Sequence, residues 1–489
     1  MANTTTHLTL FPCPGLGHLI PFLEFAKHIL AIEGFKVSLL VIQADASAIQ
    51  SKLLCTANLP KGLSIIDIPS VDVSSYVDDE AHIITRISVI VRESLPLIES
   101  VIAEMTHPTV LVVDLFATAA WDIVADNLCA KKYMLFAPCA TALAFMMYLP
   151  TLHHQVDGQF VHLDEPVRIP GCNPIHVEDL IEPVRDRTAR SYTWFLNHVK
   201  RFPMANGILV NTCEYLEAIS LRALREDPIF RQIPTPSVYP VGPIVSKPAA
   251  EADENQCIKW LDMQPNNSVL FVSFGSGGTL SAEQMTELTW GLELSQQRFL
   301  WIVKKPFDDQ TAGTFFSVGR EDKNPSEYLP SGFTSRIKDV GLLVSTWAPQ
   351  VEILAHSSTG GFLSHCGWNS TLESLVHGVP MIVWPLYAEQ NMNAKILADE
   401  LGVAVRPRVD REENGKAVVR REEIERVVRL VMEDNKQGNV MRGKAKEIKD
   451  GISKALDHEG GSSFNSLSQI LEEWKINYHS MAYNMVKDE

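Results

Sequence analysis

The sequence predicts an α/β protein built from two doubly wound, Rossmann-like parallel-sheet domains facing a cleft, and three observations lead there. Short β-rich runs alternate with helical patterns in both halves of the chain, as parallel sheets covered on both faces require. A stretch at 234–254 holding Pro234, Pro236, Pro240, Pro243 and Pro248, and closing in an acidic run, interrupts that alternation near the middle. The 489 residues, 46% of them hydrophobic, suffice for two large cores.

In the first half the strand candidates are 7–11, 36–42, 64–68, 110–114, 133–136 and 207–211. Helical spacing marks 20–29, where Phe22, Leu23, Phe25, Ala26 and Ile29 share one face, and it marks 213–224. The Pro-rich stretch reads as a linker. Beyond it, strand 268–274 runs into the loop Gly275-Ser276-Gly277-Gly278, and helix 281–297 opens on the capping-box pair Ser281 and Gln284. Strand 298–303, a polar loop at 304–330, strand 341–345 and a helix begun by Pro349 come next. Strand 361–365, helix 370–377, strand 381–384 and helix 389–401 follow, and 420–475 is helical and charged. The domains are therefore expected at 1–245 and 246–465, with a terminal segment at 466–489.

Composition excludes several functions. A net charge of −16 without a dense basic run argues against nucleic acid, whose binding rests on Lys and Arg contacts to phosphate. The apolar run 109–121 is broken by Asp114, and no run reaches the roughly 20 residues of a membrane span. The first residues carry no positive charge of a signal peptide, and the 8 cysteines form no Cys-x-x-Cys pair for a zinc site or disulfide framework. A cytoplasmic protein is the simplest expectation.

The densest chemistry lies between Trp347 and Gln390. There a strand ending at His365 turns through Cys366-Gly367-Trp368 into a helix starting near Asn369 and Ser370. A helix start offers unpaired N–H groups and the positive end of the macrodipole, so it favours phosphate. Asn369 or Ser370 would cap that helix, and His365 adds a donor to the same phosphate. Glu373 is placed to accept from ribose hydroxyls, Trp347 to stack on a base, and Glu389 with Gln390 to meet sugar hydroxyls. The Gly-rich loop at Ser276 and Gly277 offers a second phosphate contact.

Near the start, Pro14-Gly15-Leu16-Gly17-His18 follows the first strand as a loop. A dinucleotide fingerprint would need a third glycine where Ile20 stands, which counts against a Rossmann oxidoreductase. His18 instead sits where a doubly wound sheet presents ligands. Asp114 closes the apolar run 110–113, and a carboxylate there must be bonded or paired. It is read either as a helix cap or as the partner that fixes the His18 imidazole in one tautomer and makes it a better base. Phe116, Phe145 and Tyr148 would line a pocket for an aromatic ring or belong to the core.

The segment 347–390 resembles the plant secondary-product glycosyltransferase box, with every diagnostic position filled, and the likeness extends over the whole chain. The sequence is similar to plant family 1 UDP-glycosyltransferases, nearest to those that glucosylate hydroquinone, coniferyl alcohol and other small phenols. That resemblance implies the GT-B fold, a terminal helix at 466–489 returning to the first domain, and an inverting transfer from UDP-glucose to a small aromatic acceptor. It places Trp347 on uracil with the Ala348 backbone at its edge, and Gln350 and Glu373 on the ribose. His365, Asn369 and Ser370 would hold the diphosphate with Ser276 and Gly277, while Trp368, Glu389 and Gln390 read the sugar, glutamine at the last box position going with glucose. The family's base and orienting carboxylate match His18 and Asp114. One departure is Cys139, where many relatives carry Ser or Thr that touches the donor; a thiol is the weaker hydrogen-bonding group. No Asp-x-Asp is present, so no metal and no cofactor beyond the donor are expected, and the chain is expected to act as a monomer.

Overall fold

The computed structural model describes residues 5–43, 48–54, 59–78, 81–105, 109–124, 129–248, 255–308, 315, 325–345, 347–411 and 417–488. The acidic run at 251–254 and most of the expected loop at 304–330 lie outside them. The chain divides into two compact units. The first comprises Met1–Ala46, Gln50–Ile244 and Lys454–Glu489; the second comprises Ser47–Ile49 and Val245–Ser453.

Seven parallel strands form the sheet of the first unit: β1 (Thr6–Phe11), β2 (Phe35–Ile42), β3 (Leu63–Ile68), β4 (Thr109–Val113), β5 (Cys129–Phe136), β6 (Gly207–Val210) and β7 (Ser237–Pro240). Their order is β3-β2-β1-β4-β5-β6-β7, so the winding reverses between β1 and β4. The central strands are covered on both faces: every residue of β4 is buried, which is why the sequence reads there as a continuous apolar run. β7 corrects the reading of 234–254 as a linker throughout. Proline is tolerated at a sheet edge, and Ser237–Pro240 is the edge strand, paired to β6 alone.

The second sheet has β8 (Val269–Ser273), β9 (Arg298–Ile302), β10 (Gly341–Val344), β11 (Thr359–Ser364), β12 (Met381–Val383) and β13 (Ala404–Val405). The order β10-β9-β8-β11-β12-β13 repeats the plan, reversing between β8 and β11. Its helix Ala282–Ser295 packs on helix Arg421–Met432 through Met285, Leu288, Leu292, Ile424, Val427 and Val428, all buried. The expected cap is present: Ser281 accepts the N–H of Gln284 at 3.2 Å. Gln284 does not reach back to Ser281; its amide bonds both backbone groups of Val419 instead, at 2.8 and 2.9 Å.

The C-terminal helix Ser462–Asp488 belongs to the first unit. It lays a fully buried Trp474 edge-on against Tyr133 of β5, with ring centroids 5.1 Å apart, and Glu473 accepts from the Tyr133 hydroxyl at 3.0 Å. Among the described residues no helix is long and apolar enough to cross a membrane.

Candidate active site

Ligands of a doubly wound sheet gather beyond the carboxyl ends of the strands where the winding reverses. In the first unit those ends carry His18 and Asp114. The register pairs Phe11 with Val113, and Asp114 continues the ladder by donating its N–H to the Phe11 carbonyl at 3.0 Å. His18 does not lie in a loop. Helix Leu16–Leu30 starts after a four-residue turn from β1, so His18 falls in its first turn, a position the Pro/Gly-rich sequence masked.

The His18 Nδ1 lies 2.9 Å from Asp114 Oδ2. Asp114 has no exposed surface, while the imidazole is 17% exposed. Asp114 also accepts the Phe116 N–H on Oδ1 at 3.0 Å and closes a turn, not a helix. It does not cap the next helix, Ala120–Ile123, whose start has no side-chain cap. Burial pushes the Asp114 carboxyl up, but the adjacent imidazole, its hydrogen bond, the Phe116 N–H and the Cys13 thiol together hold it below the usual carboxylate range. An ionised Asp114 accepts a hydrogen bond from Nδ1–H, which keeps the proton on Nδ1 and leaves Nε2 with the lone pair. Burial, and Asp114 beside it, push the Cys13 thiol well up, so it remains a donor.

Phe116 meets His18 edge-on at 5.9 Å and His198 at 5.5 Å. His198 is a buried histidine that the sequence did not single out; Ser88 lies 2.9 Å from its Nε2, and burial pushes it down to about 4. Phe145 is fully buried in the helix Ala140–Gln155, whereas Tyr148 is partly exposed and donates to Gln155 at 3.1 Å. Cys139 is wholly buried, and its sulfur caps that helix by accepting the Ala142 N–H at 3.3 Å.

In the second unit, β8 runs into Gly275 and β11 into His365, with Ser273 paired to Ser364. The His365 ring is held between two turns. A Cβ added at Gly275 would meet it at 2.4 Å and one at Gly367 at 2.5 Å, so both positions must be glycine, and Gly275 also has φ +70°. Burial, then the nearby Lys304 charge, push His365 down to about 3, so the ring is neutral. Its Nδ1 is buried and has no hydrogen-bond partner among the described residues. Lys304 itself binds the carbonyls of Gly275 and Ser276, the latter at 2.6 Å, and so fixes the loop holding Ser276 and Gly277. Its place at the carboxyl end of β9, beside β8, was the available signal for it.

The helix after β11 is Trp368–His377, and Gly367 is its N-cap with no side-chain bond. This corrects the expected cap at Asn369 or Ser370: both lie within the first turn of the helix, after the N-cap. Ser370 Oγ and Glu373 Oε2 instead accept from the Gln350 amide, at 2.9 and 2.6 Å. Trp347 is 41% exposed, while Ala348 and Trp368 are buried. The Gln390 side chain is buried, and its carbonyl accepts the N–H groups of Leu386 and Tyr387 at 2.8 and 3.0 Å. Asn393 ties this segment to the turn, donating to the Cys366 carbonyl at 2.9 Å and to Glu389 at 3.2 Å.

The family model for "UDP-glucoronosyl and UDP-glucosyl transferase" matches residues 192–457. The chain is 44% identical to anthocyanidin 3-O-glucosyltransferase 5 of Manihot esculenta over 97% of this chain and 96% of that one. The chain belongs to this family. It is a plant family 1 UDP-dependent glycosyltransferase with the GT-B fold. Hydroquinone glucosyltransferase of Rauvolfia serpentina is 42% identical over 96% of this chain and 98% of that one. Among solved structures, Phytolacca americana UGT2 complexed with UDP-2-fluoro-glucose and pterostilbene superposes with a TM-score of 0.84 at 41% identity, covering 97% of this chain and 100% of that one. The Trp347–Gln390 segment of this glycosyltransferase holds both the helix start at Trp368 and the half-exposed Trp347 indole.

Proposed function

We propose that this glycosyltransferase moves glucose from UDP-glucose to the hydroxyl of a small aromatic acceptor, with inversion and without a metal. The buried Asp114 hydrogen-bonded to His18 at the carboxyl ends of β1 and β4 carries the proposal, since sugar-nucleotide binding alone needs no such pair. The names of the relatives, which include a hydroquinone and an anthocyanidin glucosyltransferase, support a phenolic acceptor.

In this reading His18 Nε2 removes the acceptor proton, and Asp114 stabilises the imidazolium that forms. The acceptor oxygen attacks the anomeric carbon from the face opposite UDP, the bond to the diphosphate breaks, and an α-glucoside becomes a β-glucoside. Negative charge develops on the leaving diphosphate. The helix start at Trp368–Ser370, with its N–H groups and the positive end of the helix dipole, is set before reaction to receive it, as electrostatic preorganisation requires. A neutral His365 adds a ring N–H, and Ser276 and Gly277 add contacts from a loop that Lys304 has fixed. Trp347 stacks on uracil, Gln350 and Glu373 bind the ribose, and Trp368, Glu389 and Gln390 read glucose. The chain acts as a cytoplasmic monomer.

Incubation with UDP-glucose and a panel of phenols should yield products heavier by one hexose in mass spectrometry, with β-anomeric coupling in NMR spectra. His18→Ala should lower transfer by ~10²–10⁴-fold, the usual share of base catalysis, while calorimetric affinity for UDP-glucose stays within a few-fold. Full activity in that variant would overturn the assignment.

A further inference from the structure

Cys13, two residues beyond β1, is absent from the reaction described above, yet it shares the pocket of its central pair. Its sulfur, a ring nitrogen of His18 and a carboxylate oxygen of Asp114 all lie within 4.8 Å of one another. Two of the three residues, Cys13 and Asp114, are buried, and His18 is the member that reaches solvent. One thiol, one imidazole and one carboxylate form a mixed S, N, O donor set. That set suits a borderline-soft ion held by three protein ligands and a water, and it disfavours Mg²⁺ or Ca²⁺, which take oxygen alone.

We propose that Cys13, His18 and Asp114 form a binding site for a zinc-class divalent cation, and that the ion switches sugar transfer off. The ion inverts the thiol's preference, because a coordinated thiol is deprotonated outright; the Cys13 proton passes to solvent. His18 moves its proton from Nδ1 to Nε2 and gives the Nδ1 lone pair to the metal. Thiolate and carboxylate then cancel the two charges of the ion, so the buried cluster remains neutral as a whole. The second half of the proposal rests on His18 being the base: with Nδ1 on the metal, Nε2 carries a proton and has no lone pair for the acceptor.

Titration of the full-length protein with Co²⁺, followed by Zn²⁺ displacement, tests the site without reference to activity. A thiolate-to-cobalt charge-transfer band should saturate at one equivalent, vanish with Zn²⁺, and be lost in Cys13→Ser. In parallel, micromolar Zn²⁺ should inhibit transfer reversibly, with recovery on chelation. Cys13→Ser, read against its own uninhibited rate, should need at least about tenfold more Zn²⁺ for half-inhibition, the loss expected when one ligand is removed. Cys13→Ala provides the same comparison should the serine variant fold poorly, and the wild-type cobalt band stands independently of both. Absence of the band, or a band and a Zn²⁺ sensitivity that both variants retain in full, overturns the site. A band of the expected stoichiometry with unimpaired transfer upholds the site and instead removes His18 as the base.

Discussion

Asp114 receives the His18 ring, the Phe116 N–H and the Cys13 thiol, so its oxygens are occupied although it has no contact with water. Asn at this position would keep the shape and lose the charge, so Nδ1 would no longer be obliged to hold the proton. Asp114→Asn should therefore reduce kcat by ~10²–10⁴-fold with little change in the KM for UDP-glucose, measured by initial rates. Gly275 gives the complementary case for the donor. An alanine there adds a methyl group 2.4 Å from the His365 ring at φ +70°, and the ring has no room to retreat between two turns. Gly275→Ala should raise the KM for UDP-glucose at least about tenfold through loss of close backbone approach, and calorimetry with UDP should show the same weakening. Much of this was legible in the sequence: Asp114 closes the apolar run 110–113, and glycine-bearing turns lie beside His18 and His365. Cys13, Lys304 and His198 were not. Each acts through a neighbour distant in sequence, and neither a lone thiol nor a lone lysine announces that neighbour.

At the level of elements, the helix Ala140–Gln155 depends on a residue from elsewhere in the chain. Glu217 accepts the N–H groups of Ala140 and Thr141 at 2.8 and 2.9 Å, satisfying two leading donors of that helix while Cys139 takes a third. Glu217→Ala leaves two buried donors without partners. It should cost about 2–4 kcal/mol, seen as a lower midpoint in thermal or urea unfolding. Nothing in the sequence joins 217 to 140. Glu217 sits at a kink within helix Glu214–Glu226, a local distortion that residue periodicity does not encode. The strands show the opposite balance. Apolar runs located β1 to β4 within a residue, yet β5 begins at Cys129 and not at 133, because Lys131 and Lys132 interrupt its hydrophobic signal. β7 was lost among prolines, and helix Trp368–His377 begins before the residues chosen as its cap, since its N-cap is a glycine.

For the molecule as a whole, two histidines buried among the described residues lower stability in acid. His198 titrates at about 4 and His365 at about 3 in the folded protein, against about 6.5 in an unfolded chain. Above pH 6.5 both states leave them neutral and they add no pH dependence. Below it the unfolded chain takes up protons that the folded protein refuses, so stability falls by roughly 1.4 kcal/mol per pH unit for each ring until its folded pKa is reached. These two rings should thus add no slope to the unfolding midpoint from pH 8 to 7 and should lower it between 6 and 4, and His198→Gln should remove about half of the slope they contribute. Prolines cluster in the sequence around the central boundary of the two units, at Val245. The return of the chain to the first unit at Lys454 has no comparable composition mark; a charged helical stretch simply continues through it.

That return governs how the protein is made. Tyr133 and Tyr239 of the first sheet remain without Trp474 and Glu473 until the ribosome has synthesised the whole second unit. Domains usually mature in the order in which they are translated. Here the second unit, continuous from Val245 to Ser453 apart from a three-residue patch at Ser47–Ile49, is complete before the first can close. A nascent chain released before Lys454 would lack the segment that completes the first unit.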